Sequence, residues 1–351
     1  MARPNRSAEI DAALLQAVGQ HPRDLVGMVA AQLGLSTARI SMQVRALVAG
    51  GYLYKLGSTR PTYSLGPNRR FEHTYPRVGL AEDRVWHGDL LPLLERLPRN
   101  VLDIAQHGVT EMINNAIDHS EAAYVQVRMQ QRDGRLLFEI TDAGIGIFRK
   151  ITRALDLPDE RLALLELSKG KLTTDPQRHS GEGIFFTSRM FDAYRIESGG
   201  LVFDHDATHD LDLLDDTHDV AGTRVVMQLA TDSPRTVEAV FSQFSSGPDD
   251  YAFARTVVPV RLARVGDENL VSRSQAKRLL QRVEHFRHVV LDFAEVARVG
   301  QAFADEIFRV FANAHPEVEL LAVNALPEVQ QMIRRAEVLR DEQGDQLPLL
   351  K

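Results

Sequence analysis

Apolar residues near the start of the chain recur at helical spacing in three successive runs, each with its own start or stop signal. In SAEIDAALLQAVGQ, Ile10, Leu14, Leu15 and Val18 share one face, and Ser7 can cap the first turn. RDLVGMVAAQLG has Asp24 near its start and Gly34 at its stop. LSTARISMQVRALVAGG opens on Ser36, a natural N-cap, and places Ile40, Val44, Leu47 and Val48 on one apolar face. Thr37, Arg39, Ser41, Gln43 and Arg45 fall largely outside that stripe. The run YLYKLGSTRPTYSL then predicts two short strands about a Gly-Ser-Thr-Arg-Pro turn.

The middle of the chain changes rhythm. VLDIAQHGVTEMINNAIDHS, from residue 101, predicts a helix with Glu111, Asn115, Asp118 and His119 on one face and Met112, Ile113, Ala116 and Ile117 on the other. Carboxylate and amide oxygens grouped in this way suit a hard cation such as Mg²⁺, which takes few protein ligands beside waters and substrate phosphates. The strands AAYVQVRMQQR and LLFEITD follow, joined at Asp133 and Gly134, a favoured hairpin pair. The second runs into DAGIGI, where Asp142 at a strand end can accept from an exocyclic amine and Gly144 and Gly146 admit a close approach to bare backbone. In RHSGEGIFFTSRMFD, Gly181 and Gly183 precede a helix whose free N–H groups would face phosphate oxygens. The strands YRIES, GLVFDH and GTRVVMQL complete the segment. After SSGPDD, near residues 245–250, strand and helix patterns alternate as βαβαβα.

Composition narrows the class. The 351 residues are 44% hydrophobic and 25% charged, which excludes a disordered, collagenous or coiled-coil chain and, at about 150 residues per domain, predicts two or three domains. With no cysteine, disulfides, thiolate nucleophiles and cysteine zinc sites are excluded. The start has no apolar core of signal-peptide length and no stretch approaches a membrane span, so a cytoplasmic protein with no membrane partner is expected. The net charge of −7 conceals an asymmetry: residues 1–80 hold 10 Lys and Arg against 4 Asp and Glu (+6), leaving 31 against 44 (−13) for the rest. A basic head on an acidic body suits a nucleic-acid partner. No GxxxxGK[ST] occurs and neither glycine pair extends to GxGxxG. His205 and His209, in an Asp-rich run between strand patterns, read as part of a solvated connection rather than a metal site.

The first runs, above all VAAQLGLSTARISMQVRALVAGGYL, resemble the winged helix-turn-helix of bacterial transcription regulators. The resemblance implies DNA binding through residues 23–64, with Ser36, Thr37, Arg39, Gln43 and Arg45 in the major groove and Lys55 and Arg60 of the wing on the backbone. A protein-interaction module is the alternative. Residues 82–232 resemble the GHKL family of ATP-binding domains, shared by Hsp90, DNA gyrase, MutL and bacterial histidine and anti-sigma kinases, through the co-linear order of EMINNAIDHS, DAGIGI and SGEGIFF. That likeness implies ATP and Mg²⁺ as cofactors. It assigns Mg²⁺ to Asn115, the adenine amino group to Asp142, the adenine-side loop to Gly144 and Gly146 and the phosphate-side loop to Gly181 and Gly183, with residues 147–180 as a lid. It makes Thr223 a support of the adenine site and Glu111 the acid that activates water in the family's ATPases; Asp118 is grouped with the nucleotide-binding residues. Ser168, Lys169 and Lys171 either meet the γ-phosphate or form a solvated charged loop.

The tail, most clearly VVLDFAEVARVGQAFADEIFRVF, resembles the STAS domain of anti-sigma antagonists and is similar to the STAS-like DUF4325 type. Where antagonists carry a phosphorylated Ser or Thr, this chain has Val299, Gly300 and Gln301, and no Ser or Thr follows Ser274. An interaction or regulatory domain with a protein partner is expected, or else a module that only extends the core. The expected fold is multidomain α/β: a winged helix-turn-helix over residues 1–78, an α/β-sandwich GHKL ATPase (Bergerat) fold over 79–247 and a βαβαβα STAS-like domain over 248–351. The expected function is an ATP-binding, ATP-hydrolysing DNA-binding transcriptional regulator, possible as a homodimer. An anti-sigma-type Ser/Thr protein kinase or partner-switching regulator is the runner-up, followed by a repair or topoisomerase-like ATPase and a module that binds nucleotide without hydrolysis.

Overall fold

The computed structural model describes residues 6–172, 181–206, 211–247, 250–264 and 269–344. The chain divides into two compact units: Met1–Gly144 with Phe191–Tyr194 and Gly222–Pro234, and Ile145–Met190 with Arg195–Ala221 and Arg235–Lys351.

The first unit begins with α1 (Ser7–Ala17), α2 (Leu25–Leu33) and α3 (Thr37–Ala49), followed by an antiparallel hairpin of β1 (Leu53–Leu56) and β2 (Thr62–Leu65). Ile10, Leu14, Leu25, Val29, Ile40, Val44, Leu47 and Leu53 form its core, so each predicted apolar face is buried. Gly34 stops α2 in the left-handed conformation and donates to the carbonyls of Ala30 and Ala31. Ser36 caps α3 by accepting from the Arg39 N–H at 3.4 Å. The order of three helices and a hairpin expected from the sequence is present.

β3 (Arg69–Pro76) is an addition that the pattern does not announce. Its sequence RRFEHTYP has one buried apolar side chain, Phe71, yet it pairs antiparallel along its whole length with β4 (Tyr124–Arg132). Between them lie α4 (Glu82–Arg84), a π-helical turn over Val85–Leu90 that buries Trp86, and α5 (Leu91–Leu94). The long helix α6 (Arg99–His119) buries Val101, Ile104, Val109, Met112, Ile113 and Ala116. Arg77 donates to Ile117 O in that helix's last turn at 2.9 Å and to Ala122 O just beyond the helix at 2.7 Å. Asp133 and Gly134, at φ 51° and 75°, turn β4 into β5 (Arg135–Asp142) as the hairpin signal predicts. β6 (Ala193–Asp206) joins the two strands expected at YRIES and GLVFDH, and GTRVVMQL is the end of a longer β7 (Leu211–Ala230). The sheet order is β3-β4-β5-β7-β6.

In the second unit, α7 (Ile147–Ala154), α8 (Arg161–Lys169) and α9 (Gly183–Met190) precede α10 (Val237–Gln243) and a short hairpin of β8 (Ser245–Gly247) and β9 (Asp250–Phe253). Three parallel strands follow in the order β10 (Arg255–Pro259), β11 (His288–Asp292), β12 (Glu319–Val323). The crossovers are α11 (Arg273–Leu280), then a helix made of α12 (Gln301–Asp305), a π-helical turn and α13 (Ala312–Ala314), and α14 (Pro327–Gly344) closes the segment. This is the expected βαβαβα order. Phe185 packs against Phe244 and Phe253 at centroid distances of 5.0 and 4.5 Å, and Phe253 against Phe286 at 5.1 Å. The rings tie α9 to the parallel sheet's segment.

Two glycines should respond oppositely to alanine. Gly27 lies inside α2 with nothing within 4 Å of a new Cβ, so Gly27→Ala should stabilise by about 0.5–1 kcal/mol in urea melts. Gly222 has φ +75° and a Cβ there would sit 2.1 Å from the Asp142 carbonyl oxygen, so Gly222→Ala should cost roughly 3 kcal/mol or more.

Candidate functional site

Strand pairing sets Thr223 of β7 directly opposite Asp142, the last residue of β5. The Asp142 carboxylate is buried, and it accepts from the Gly144 N–H at 2.9 Å and from the backbone N–H of Thr223. Burial pushes its pKa up, and those two hydrogen bonds oppose the rise. A carboxylate so placed keeps lone pairs for a further donor such as an exocyclic amine. The glycine at 144 has a local reason: a Cβ would lie 1.9 Å from the Ser120 carbonyl oxygen. Gly222 is required for a similar approach to Asp142 and Gly144. The end of β5, the residue after α6 and the β7 glycine therefore form one tight backbone cluster.

On α6, Glu111 and Asn115 are half-buried and Asp118 is exposed. The Asn115 amide nitrogen makes a weak 4.0 Å contact with Met112 Sδ, and its amide oxygen has no protein donor among the described residues. Tyr194 is fully buried and donates to the same sulfur at 3.1 Å. Burial, and then the negative charge of Glu111, push the Tyr194 phenol far above its ordinary pKa, so it stays protonated. Among the described residues no group of three or more His, Asp and Glu could hold a metal by itself. The donor set fits a cation held by one amide oxygen together with phosphates and water. His205 is buried, and His209 lies outside the described residues.

In the second unit, Gly146 takes φ 84° at the start of α7. Gly181, at φ +74°, packs its bare Cα on the backbone of Leu172, whose N–H donates to Gly181 O at 3.0 Å. Gly183 begins α9, and burial raises the pKa of neighbouring Glu182 against the opposing charge of Lys171. Residues 173–180 of the expected lid lie outside the described residues.

The reading of Ser168, Lys169 and Lys171 as a phosphate-facing or solvated group is corrected. Ser168 is buried and donates to Leu165 O at 2.9 Å. Lys169 is 1% exposed, and its ammonium meets Glu166 at 2.6 Å, Gln281 O at 2.8 Å and Arg278 O at 3.2 Å. Lys171 donates to His285 O at 3.1 Å and lies 4.7 Å over the Phe286 ring. In the head, Ser36, Thr37, Arg39, Arg45, Lys55 and Arg60 are exposed as expected. Gln43 departs from expectation, because its amide donates to the buried carboxylate of Asp11 on α1. Met42, Tyr54 and Leu56 are exposed apolar neighbours of these basic residues that the basic-face reasoning passed over.

The sequence matches two family models: the histidine kinase-like ATPase domain over residues 82–203 and the STAS-like domain of unknown function (DUF4325) over residues 275–330. The GHKL and STAS-like resemblances read from the sequence are thereby borne out. No curated protein matches it. Among solved structures it is similar to the IcIR transcriptional regulator from Alicyclobacillus acidocaldarius, at 16% identity over 68% of this chain and 94% of that one, with a TM-score of 0.19. It is likewise similar to Pseudomonas aeruginosa HmgR, at 15% identity over 70% of this chain and 91% of that one, with a TM-score of 0.18. Among the described residues no helix is long and apolar enough to cross a membrane.

The raised pKa of Asp142 has a testable sign. A folded-state value above the unfolded one means that its contribution to stability is present at low pH and is lost as pH rises through the folded value. Asp142→Asn should therefore melt above the wild type at neutral pH, with the difference closing as pH falls below about 3.9, the ordinary aspartate value.

Proposed function

Because the chain carries a histidine kinase-like ATPase domain and a STAS-like domain, we propose that it is an ATP-binding regulator whose three-helix head binds DNA. The observation that carries this reading is Asp142, a buried carboxylate inside the ATPase match with two backbone donors and capacity for a third. In this role Asp142 accepts from the adenine amino group, with Thr223 holding it from the facing strand. Gly144 and Gly146 shape the adenine side. The N–H groups after Gly181 and Gly183, at the start of α9, donate to phosphate oxygens. Asn115 offers its amide oxygen to Mg²⁺, which when bound neutralises phosphate charge; Asp118 is close in sequence on the same helix. Glu111 takes the proton of the attacking water if the nucleotide is hydrolysed.

DNA contacts fall to Ser36, Thr37, Arg39 and Arg45 on α3 and to Lys55 and Arg60 on the wing. Gln43 is left out of the DNA contacts, since Asp11 already holds it, and Lys171 is left out of the phosphate contacts, since the His285 carbonyl already holds it. The +6 charge of residues 1–80 supports phosphate binding. ATP would alter DNA affinity through any difference in its affinity for two states of the protein.

The test uses the full chain, with ATP binding by equilibrium dialysis and DNA binding by fluorescence anisotropy. Asp142→Ala should weaken ATP by about tenfold or more, and ATP with Mg²⁺ should shift DNA affinity in the wild type but not in Asn115→Ala. Equal DNA affinity with and without ATP would sink the coupling. Labelled ATP identifies the reaction: free phosphate marks hydrolysis, and label on a second protein marks transfer. For the head, Lys55→Ala and Arg60→Ala should weaken all sequences alike, each flattening the slope of log K against log salt by about 1.

A further inference from the structure

The second unit contains a buried charge cluster that joins the two matched segments. Glu166, at the end of α8, is 2% exposed and binds Lys169 at 2.6 Å and Arg282 Nη1 at 3.3 Å. Lys169 lies in the ATPase match, whereas Arg278, Gln281 and Arg282 lie in the STAS-like match. Arg282 and His285 of that stretch, together with Thr256 of β10 ahead of it, grip the chain at the end of α8 and just after it. Arg282 Nη2 donates to the Lys171 carbonyl, Thr256 Oγ1 donates to the Lys169 carbonyl at 2.7 Å, and the Lys171 ammonium reaches His285 O at 3.1 Å.

The backbone held there is unusual. Gly170 and Lys171 take φ 75° and 51° in succession, and Arg282 itself takes φ 65°. A Cβ on Gly170 would lie 2.6 Å from the Phe253 ring, so the chain is pressed against that side chain. The next residue, Leu172, carries the Gly181 carbonyl on its N–H, and Gly183 opens α9 two residues further on. A single path of contacts thus runs from Arg282 through Lys171 and Leu172 to the glycine segment. Burying the Glu166 and Lys169 side chains, with Arg282 half-buried beside them, is costly, and an apolar cluster of similar volume would hold two segments together as well. What the hydrogen-bonded cluster adds is a fixed position for the carbonyls of residues 169 and 171.

We propose that Arg282, supplied by the STAS-like domain, is a positioning residue for the phosphate-side glycine segment of the ATPase domain, so that phosphate recognition requires the C-terminal domain. This rests on the nucleotide reading above and deepens it: the STAS-like domain acts in cis on the phosphates and leaves the adenine to Asp142. The adenine and phosphate contributions are separable by ligand.

The experiment compares ATP and adenosine binding to the full chain by calorimetry, with thermal melts as a check of folding. Arg282→Lys keeps the charge beside Glu166 but cannot serve Glu166 and the Lys171 carbonyl in the same forked geometry. It should lose about tenfold in ATP affinity while adenosine affinity stays within about twofold. Asp142→Ala should weaken both ligands. ATP binding by Arg282→Lys equal to wild type, or an equal loss of both ligands, would overturn the proposal. Should Arg282→Lys fail to fold, Thr256→Val is read in its place with the same two outcomes, since it removes the donor to the Lys169 carbonyl while keeping the side chain's volume. Wild type that binds neither ligand overturns the nucleotide reading itself, and this proposal with it.

Discussion

A carboxylate can remain buried only where donors reach it, and at the end of β5 the donors are the N–H groups of Gly144 and Thr223. Much of the first unit's site follows from that requirement. Thr223 can donate because β5 and β7 pair in a register that sets it opposite Asp142. Gly222 must precede it because a side chain there would collide with the Asp142 carbonyl, and Gly144 must follow because the Ser120 carbonyl occupies the space of a Cβ. Ser120 comes directly after α6, and Arg77, which follows β3, donates to the Ile117 carbonyl in that helix's last turn. The helix that carries Asn115 and the strand that carries Asp142 are therefore positioned by one cluster of backbone contacts. The upward pressure on the Asp142 pKa shows what this arrangement costs: a carboxylate available to a ligand is less comfortable than a solvated one.

The second unit solves a different problem with similar means. Every residue from Leu162 to Lys169 is buried, including two with full charges. Lys169 is tolerated because Glu166 and two carbonyls at the end of α11 surround its ammonium; burial still lowers its pKa, with Glu166 opposing. The phenylalanines of α9, β9 and the turn before β11 supply the apolar contact, and the charge cluster supplies direction. Segments matched by two unrelated families are thus packed as one body, which neither family match implies.

Much of the architecture was legible. The three head helices, the hairpin that follows them, the hairpin at Asp133 and Gly134 and the βαβαβα order all came from local signals: apolar period, caps and turn residues. β3 was not legible, because RRFEHTYP buries one apolar side chain and owes its place to backbone pairing with β4. Asp142, Asn115 and the glycines were identified as chemistry, but the reason for Gly144 was not, since the Ser120 carbonyl is over twenty residues away.

The amino-acid sequence by itself determined the local elements and the inventory of reactive groups, because capping, turn geometry and helical periodicity act within about four residues. The tertiary structure decided which polar residues are available. Gln43 lies on the polar stripe of α3 yet reaches Asp11, and Lys169 and Lys171 read as phosphate-facing or as a charged loop yet are held by Gln281 and His285, more than a hundred positions downstream. Whether a charge is solvated or buried depends on what the fold brings against it, and no local pattern carries that information.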